Sequence, residues 1–127
     1  NILLENIKKA NNKIIGYGAA TKGNIVLNHC KLDAKKIPLI CDENEEKFGR
    51  YTPGSNIKII SKKYMRKLKP DYLLVLIWSF KSEVIKQELN YIKKGGKLIF
   101  HLPFLHIVDK ENYIEHLNEN FDAFSYK

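Results

Sequence analysis

Arginine is scarce in this chain. Arg50 and Arg66 are the only two among 22 basic side chains, so the formal charge of +8 is carried almost wholly by lysine. Surfaces that read nucleic acid favour arginine and interleave basic runs with aromatics. No such run stands out, so a solvated lysine coat is expected and a nucleic-acid partner is not. Cysteine is equally sparse: Cys30 and Cys41 form neither a C-x-x-C pair nor a zinc-type spacing, which leaves plain reduced thiols and no expected metal site. No apolar run approaches the roughly 18 residues of a membrane span, so no membrane partner is expected. No basic n-region precedes an apolar h-region at the start, and with reduced thiols this points to the cytoplasm.

What is present is the composition of a globular domain, with 44% hydrophobic and 28% charged residues over 127 positions. That length supports one core. Asn1 stands where a start would place Met, so residues 1–127 are expected to be a single domain of a larger protein.

The pattern along the chain alternates strand and helix. Lys13 to Tyr17 forms a short apolar strand that runs into glycines, and Ala20 to Cys30 has apolar positions near helical spacing. Lys36 to Cys41 is the second strand, with Asp42 at its tip. Gly49, Pro53 and Gly54 mark residues 43–56 as a loop. A third strand spans Ile57 to Ile60, and Ser61 is placed to cap a basic helix that ends before Pro70. Tyr72 to Trp78 is almost wholly apolar, as a central strand covered on both faces must be. A helix opening at Ser79 or Lys81 turns Val84, Ile85, Leu89 and Ile92 inward and exits at Gly95-Gly96. Lys97 to Leu102 is the fifth strand, and a last helix is expected around Lys110 to Leu117. Such βαβ units predict an α/β, doubly wound, Rossmann-like three-layer sandwich with a parallel sheet in the order 3-2-1-4-5.

Two features sit where that fold binds ligands. Gly16-Tyr17-Gly18 falls at the first strand-to-helix turn, where backbone can approach a phosphate. The third glycine of G-x-G-x-x-G falls on Thr21 instead, and a glycine returns only at Gly23. Asp42, about 26 residues beyond Gly16, occupies the position of a ribose-binding acid. On the residues alone, a tight turn and a strand-end carboxylate without any ligand explain these features equally well.

The run Gly16-Tyr17-Gly18-Ala19-Ala20-Thr21-Lys22-Gly23-Asn24 resembles the G-Y-G-A-A-x-K-G-N signature of the C-terminal domain of S-adenosylmethionine-dependent C-methyltransferases that modify nucleotide-linked deoxysugars. Three further blocks follow in the family's order. They are Asp42-Glu43-Asn44 with Lys47, Gly49, Arg50, Tyr51 and Pro53-Gly54-Ser55; Pro70-Asp71-Tyr72 into Leu76-Ile77-Trp78; and Ile92 through Gly95-Gly96-Lys97 to Pro103. Ser79 follows Trp78 where the family often has Asn.

The resemblance implies a three-part enzyme: a zinc-binding piece, a methyltransferase domain holding S-adenosylmethionine, and this domain helping to bind the nucleotide-sugar. The upstream methyltransferase domain would be a partner within the same chain. It would hold the donor and the acid/base groups, so no cofactor and no catalytic residue are expected here, and the isolated domain is expected to be inactive. The substrate-binding candidates are Gly16, Gly18, Ala19, Lys22, Asp42 and Trp78. Lys47, Arg50 and Tyr51 in the loop are placed to close over a ligand, or to be merely solvated. His29 and His116 read as helix residues without a partner, and His101 and His106 as structural. The alternative function is a stand-alone ligand-sensing module that binds NAD(P) or coenzyme A through the same turn.

Overall fold

The computed structural model describes residues 2–18, 27–101 and 105–117. The chain opens with a helix, α1 (Ile2–Lys9), which leads into β1 (Ile14–Tyr17). Residues 27–29 are the end of a helix closed by a Schellman motif: the Leu32 amide bonds the Leu27 carbonyl and the Lys31 amide bonds that of Asn28. This matches the helix end expected at Cys30. Next come β2 (Leu39–Asp42), a 3₁₀ turn (Glu45–Lys47), β3 (Lys58–Ser61) and α2 (Lys62–Leu68). Ser61 caps α2 as expected, its hydroxyl accepting from the Tyr64 amide at 3.0 Å. Then follow β4 (Tyr72–Val75), a 3₁₀ turn (Trp78–Phe80), α3 (Lys81–Gln87), α4 (Leu89–Lys93), β5 (Lys97–Phe100), β6 (His106–Val108) and α5 (Tyr113–Leu117).

The strands form one six-stranded sheet in the order β3-β2-β1-β4-β5-β6. The first five are parallel in the expected order, with Gly16 opposite both Ile40 and Leu74. The expectation of a wholly parallel, five-stranded sheet is corrected by β6, which pairs antiparallel to β5 with Phe100 opposite His106. Only five residues separate the two strands, and so short a link cannot return the chain to the far edge for a parallel pairing.

Successive strand residues alternate between two apolar clusters. Ile14, Ile40, Ile59, Leu74 and Ile99 pack with Leu4 and Ile7 of α1 and with Leu27 and Leu32. Ile15, Tyr17, Cys41, Leu73, Val75, Leu98 and Phe100 pack with Met65, Val84, Ile85 and Ile92 from α2, α3 and α4. This α/β arrangement, mixed but mostly parallel, is consistent with a Rossmann-like fold.

Three local expectations change. The central strand expected from Tyr72 to Trp78 ends at Val75, and Trp78 lies in the 3₁₀ turn beyond it. The segment 43–56 is not a free loop: Ile59 donates to the Arg50 carbonyl, Gly49 to that of Ile59 and Thr52 to that of Ile57, so residues 49–52 fold back along β3. The helix expected from Lys81 to Gly95 is interrupted at Glu88, which has φ −103° and ψ 22°. Its exit is as expected, with Gly95 at φ 103° and the Gly96 amide bonding the Tyr91 carbonyl.

Candidate functional site

The parallel strands β1, β2 and β4 end side by side, and the strand order reverses between β1 and β4. In open α/β sheets this is the position of ligand crevices. Gly18, the first residue past β1, has φ +96° and donates its amide to the Cys41 carbonyl at 2.9 Å. That amide is spent on extending the β1–β2 ladder. A Cβ on Gly18 would lie 2.7 Å from Ile77 Cγ2, so the glycine lets the chain leaving β1 pass against the chain leaving β4. Its fitness here is steric and conformational. Gly16 lies within β1, where a Cβ would sit 3.0 Å from Ile40 Cγ1. Ala19 and Lys22 lie outside the described residues.

Asp42 ends β2 with its carboxylate mostly buried. Its Oδ1 accepts from the Asn44 amide at 2.9 Å, and its Oδ2 lies 3.7 Å from Lys47 Nζ. Asn44 in turn accepts from the Glu46 amide at 3.1 Å, so the carboxylate organises the turn that follows it. Trp78 opens the 3₁₀ turn beyond β4 and is half-buried against the cluster that contains Phe100. Arg50 and Tyr51 are exposed on the segment that folds back along β3. Gly18, Asp42 and Trp78 thus share one edge. Gly18 is bonded to the residue before Asp42 and abuts the residue before Trp78.

Three polar groupings are invisible in the linear pattern. The first joins Tyr17, Glu88 and Arg66. The buried Tyr17 hydroxyl donates to Glu88 Oε2 at 2.8 Å, and Arg66 grips the same carboxylate through Nε at 3.0 Å and Nη2 at 2.6 Å. Burial and then the Glu88 carboxylate push the Tyr17 phenol well above its ordinary range, so it is a neutral donor. The bond to Glu88 raises Arg66 further.

The second grouping is Lys62, whose Nζ donates to Glu43 and Gln87 above the Tyr17 ring. The third is the buried Lys81, whose Nζ lies 2.9 Å from His106 Nε2 and 2.7 Å from His116 Nδ1, with the two imidazoles stacked. His116 therefore has a partner, contrary to the expectation from its helical position. Periodicity marks Lys81 as a helix-opening residue and gives no sign that two histidines from β6 and α5 meet it.

Burial pushes the Cys41 thiol up to about 12, so it is a packed, unreactive side chain. Among the described residues, both ring nitrogens of His101 are buried without a hydrogen-bond partner, and desolvation lowers its pKa. A groove of 690 Å³ is lined by Arg66, Asp71, Glu88, Tyr91, Lys94 and Gly96, at the opposite edge where β4 and β5 begin. Among the described residues no three His, Cys, Asp or Glu side chains gather as a metal site, and no helix is long and apolar enough to cross a membrane.

Comparison with known proteins adds an independent line. Residues 1–103 match the family described as the C-methyltransferase C-terminal domain. Over 99 residues the chain is 34% identical to the C-methyltransferase NovU of Streptomyces niveus, covering 78% of this chain and 24% of that protein. It thus spans about a quarter of that relative's length. Among solved structures, UDP-D-quinovosamine 4-dehydrogenase from Vibrio fischeri aligns with a TM-score of 0.49 at 14% identity, over 83% of this chain and 84% of that one.

Proposed function

The chain belongs to the C-methyltransferase C-terminal domain family, and from that premise we propose that it binds the nucleotide-sugar substrate of an S-adenosylmethionine-dependent C-methyltransferase. The observation that carries this reading is the convergence of the Gly18 turn, Asp42 and Trp78 on the edge where the strand order reverses. Asp42 is the acceptor for a ribose or sugar hydroxyl, Trp78 offers a flat apolar face for a base, and Lys22 supplies charge to a phosphate. Gly18 keeps the chain leaving β1 slim enough for the ligand to approach, and Gly16 and Ala19 belong to the same proposed binding segment.

The doubly wound, three-layer arrangement assumed here is supported by apolar clusters with helices on both faces of the sheet. The methyl donor and the acid/base groups belong to an upstream domain of the same protein, and this domain contributes orientation. Holding a sugar carbon within reach of a methyl group is itself a large share of the barrier lowering in such transfers. We place the enzyme in the cytoplasm, where Cys30 and Cys41, neither in a disulfide, stay reduced.

The test is calorimetric titration of the full-length protein with UDP- and dTDP-linked sugars. Asp42→Asn keeps the oxygen that accepts from the Asn44 amide while removing the charge, and should weaken binding about fivefold or more. Trp78→Leu should weaken it further. Unchanged affinity in both variants would remove the strand-end edge as the binding site.

A further inference from the structure

Lys62 begins α2 directly after β3, and its ammonium has a partner on each of three sides. Nζ lies 2.7 Å from Glu43 Oε1, 2.9 Å from Gln87 Oε1 and 4.6 Å from the centroid of the Tyr17 ring. Only 13% of its side chain is exposed, against 69% for Glu43. Two of the three partners are neutral: the face of the buried Tyr17 ring, and the amide oxygen of Gln87, an exposed residue at the end of α3. Charge balance at this cation therefore falls to one solvent-exposed carboxylate, which makes no other hydrogen bond among the described residues.

The placement gives the pair its meaning. Asp42 and Ser61 are opposite one another in the β2–β3 ladder, and Glu43 and Lys62 are the next residues on each side. The ion pair therefore bridges the ends of β2 and β3, and its cation lies over Tyr17, the residue before Gly18. Asp42 and Gly18 are thus each one residue away from a member of this cluster. An exposed carboxylate gains little from such a pairing, because water competes for it and its rotamers are restricted. A phosphate carries more charge and more acceptor oxygens, and so forms stronger charge-assisted bonds with an ammonium.

We propose that Lys62 is an anion receptor that Glu43 fills when no ligand is bound, and that the diphosphate of the ligand displaces Glu43 from it. This rests on the nucleotide-sugar reading above and adds a residue and a built-in competitor to it. Gln87 and the Tyr17 ring hold the ammonium in place during the exchange, so the receptor is preformed and only Glu43 has to swing away.

The experiment is calorimetric titration of inorganic pyrophosphate into the full-length protein at low ionic strength, where exposed charges are least screened. Glu43→Gln should tighten binding about threefold to tenfold by removing the competitor. Lys62→Met should weaken it about tenfold. In the Lys62→Met background, Glu43→Gln should bring no gain; a gain that persists there would be a general charge effect and would overturn the proposal. Pyrophosphate affinity unchanged by Glu43→Gln overturns it too, and that variant alone decides if Lys62→Met does not fold. Titration of the same proteins with nucleotide-sugars keeps the two readings apart. Wild type that binds them without responding to Glu43→Gln sinks only this inference, whereas a pyrophosphate response without nucleotide-sugar binding sinks only the earlier one.

Discussion

The Tyr17 hydroxyl donates to the Glu88 carboxylate across 2.8 Å, joining residues 71 positions apart, the end of β1 and the break between α3 and α4. Both side chains are buried, and Arg66 closes the carboxylate from the solvent side with two bonds. A buried carboxylate is tolerated only while its bonds are intact. Tyr17→Phe should therefore cost about 1 kcal/mol, the net worth of one hydrogen bond. Arg66→Met should cost about 2 kcal/mol, less than the roughly 3–5 of a fully enclosed pair because Arg66 is half exposed to water. Urea unfolding monitored by circular dichroism ranks the two, and an equal or reversed order would contradict this account.

Gly18→Ala places a methyl group against Ile77 at a φ that disfavours side chains. The expected loss of stability is about 2 kcal/mol, from left-handed backbone strain plus the clash. Adding Ile77→Ala removes the clash and leaves the strain, so the double variant should recover about 1 kcal/mol relative to additivity. Strict additivity in thermal unfolding would mean that the two residues do not press on each other.

Cys41 and Tyr17 give stability a defined alkaline limb. Both are acids whose folded pKa is raised by burial, so the folded state keeps protons that the unfolded chain releases. The thiol's contribution is complete below its unfolded pKa and is lost as pH rises from about 9 toward about 12, and the phenol's declines only above its ordinary value of about 10. Cys41→Ala should flatten the thiol's part of that slope in unfolding measured between pH 8 and 10. In the native protein, iodoacetamide at neutral pH should modify the exposed Cys30 and spare Cys41.

Lys81 ties β6 and α5 to the start of α3 through His106 and His116. Lys81→Met keeps the aliphatic packing and loses both bonds, so the β6 amides should exchange with solvent about tenfold faster. Exchange rates at Ile107 and Val108 that match the wild type would show that packing alone holds the segment.

The first five strands and their order are legible in the sequence because each is a short apolar run bounded by Gly, Pro or Asp, and local signals of that kind survive tertiary context. Ser61 as a cap and Gly95-Gly96 as an exit are legible for the same reason. β6 is not, because His106-Ile107-Val108 is three residues long and its pairing is decided by β5. α1 carries a signal in Leu3, Leu4 and Ile7, but a single helical turn of apolar spacing does not distinguish it from a leader to the first strand. At the site, Asp42 and the glycine turn are visible as motif residues. The fate of the Gly18 amide is not, since a hydrogen bond to Cys41 belongs to the fold and leaves no trace in composition or spacing. Lys62, Lys81 and Glu88 escape notice because each looks like an ordinary solvated helix residue until partners from distant segments surround it.

The two margins of the sheet bear on how the protein associates. On one side residues 49–52 fold back along β3; on the other β6 runs against β5 and is itself only three residues long. An open strand edge of good length recruits strands from neighbouring molecules, and short or occupied margins deny them a template. Self-association by continuing the sheet from one copy into the next is thereby disfavoured. Among the described residues, the helical faces and the loops are the surfaces left for quaternary contact, and the short margins are a poor template for the fibrillar growth that parallel sheets with bare flanks invite.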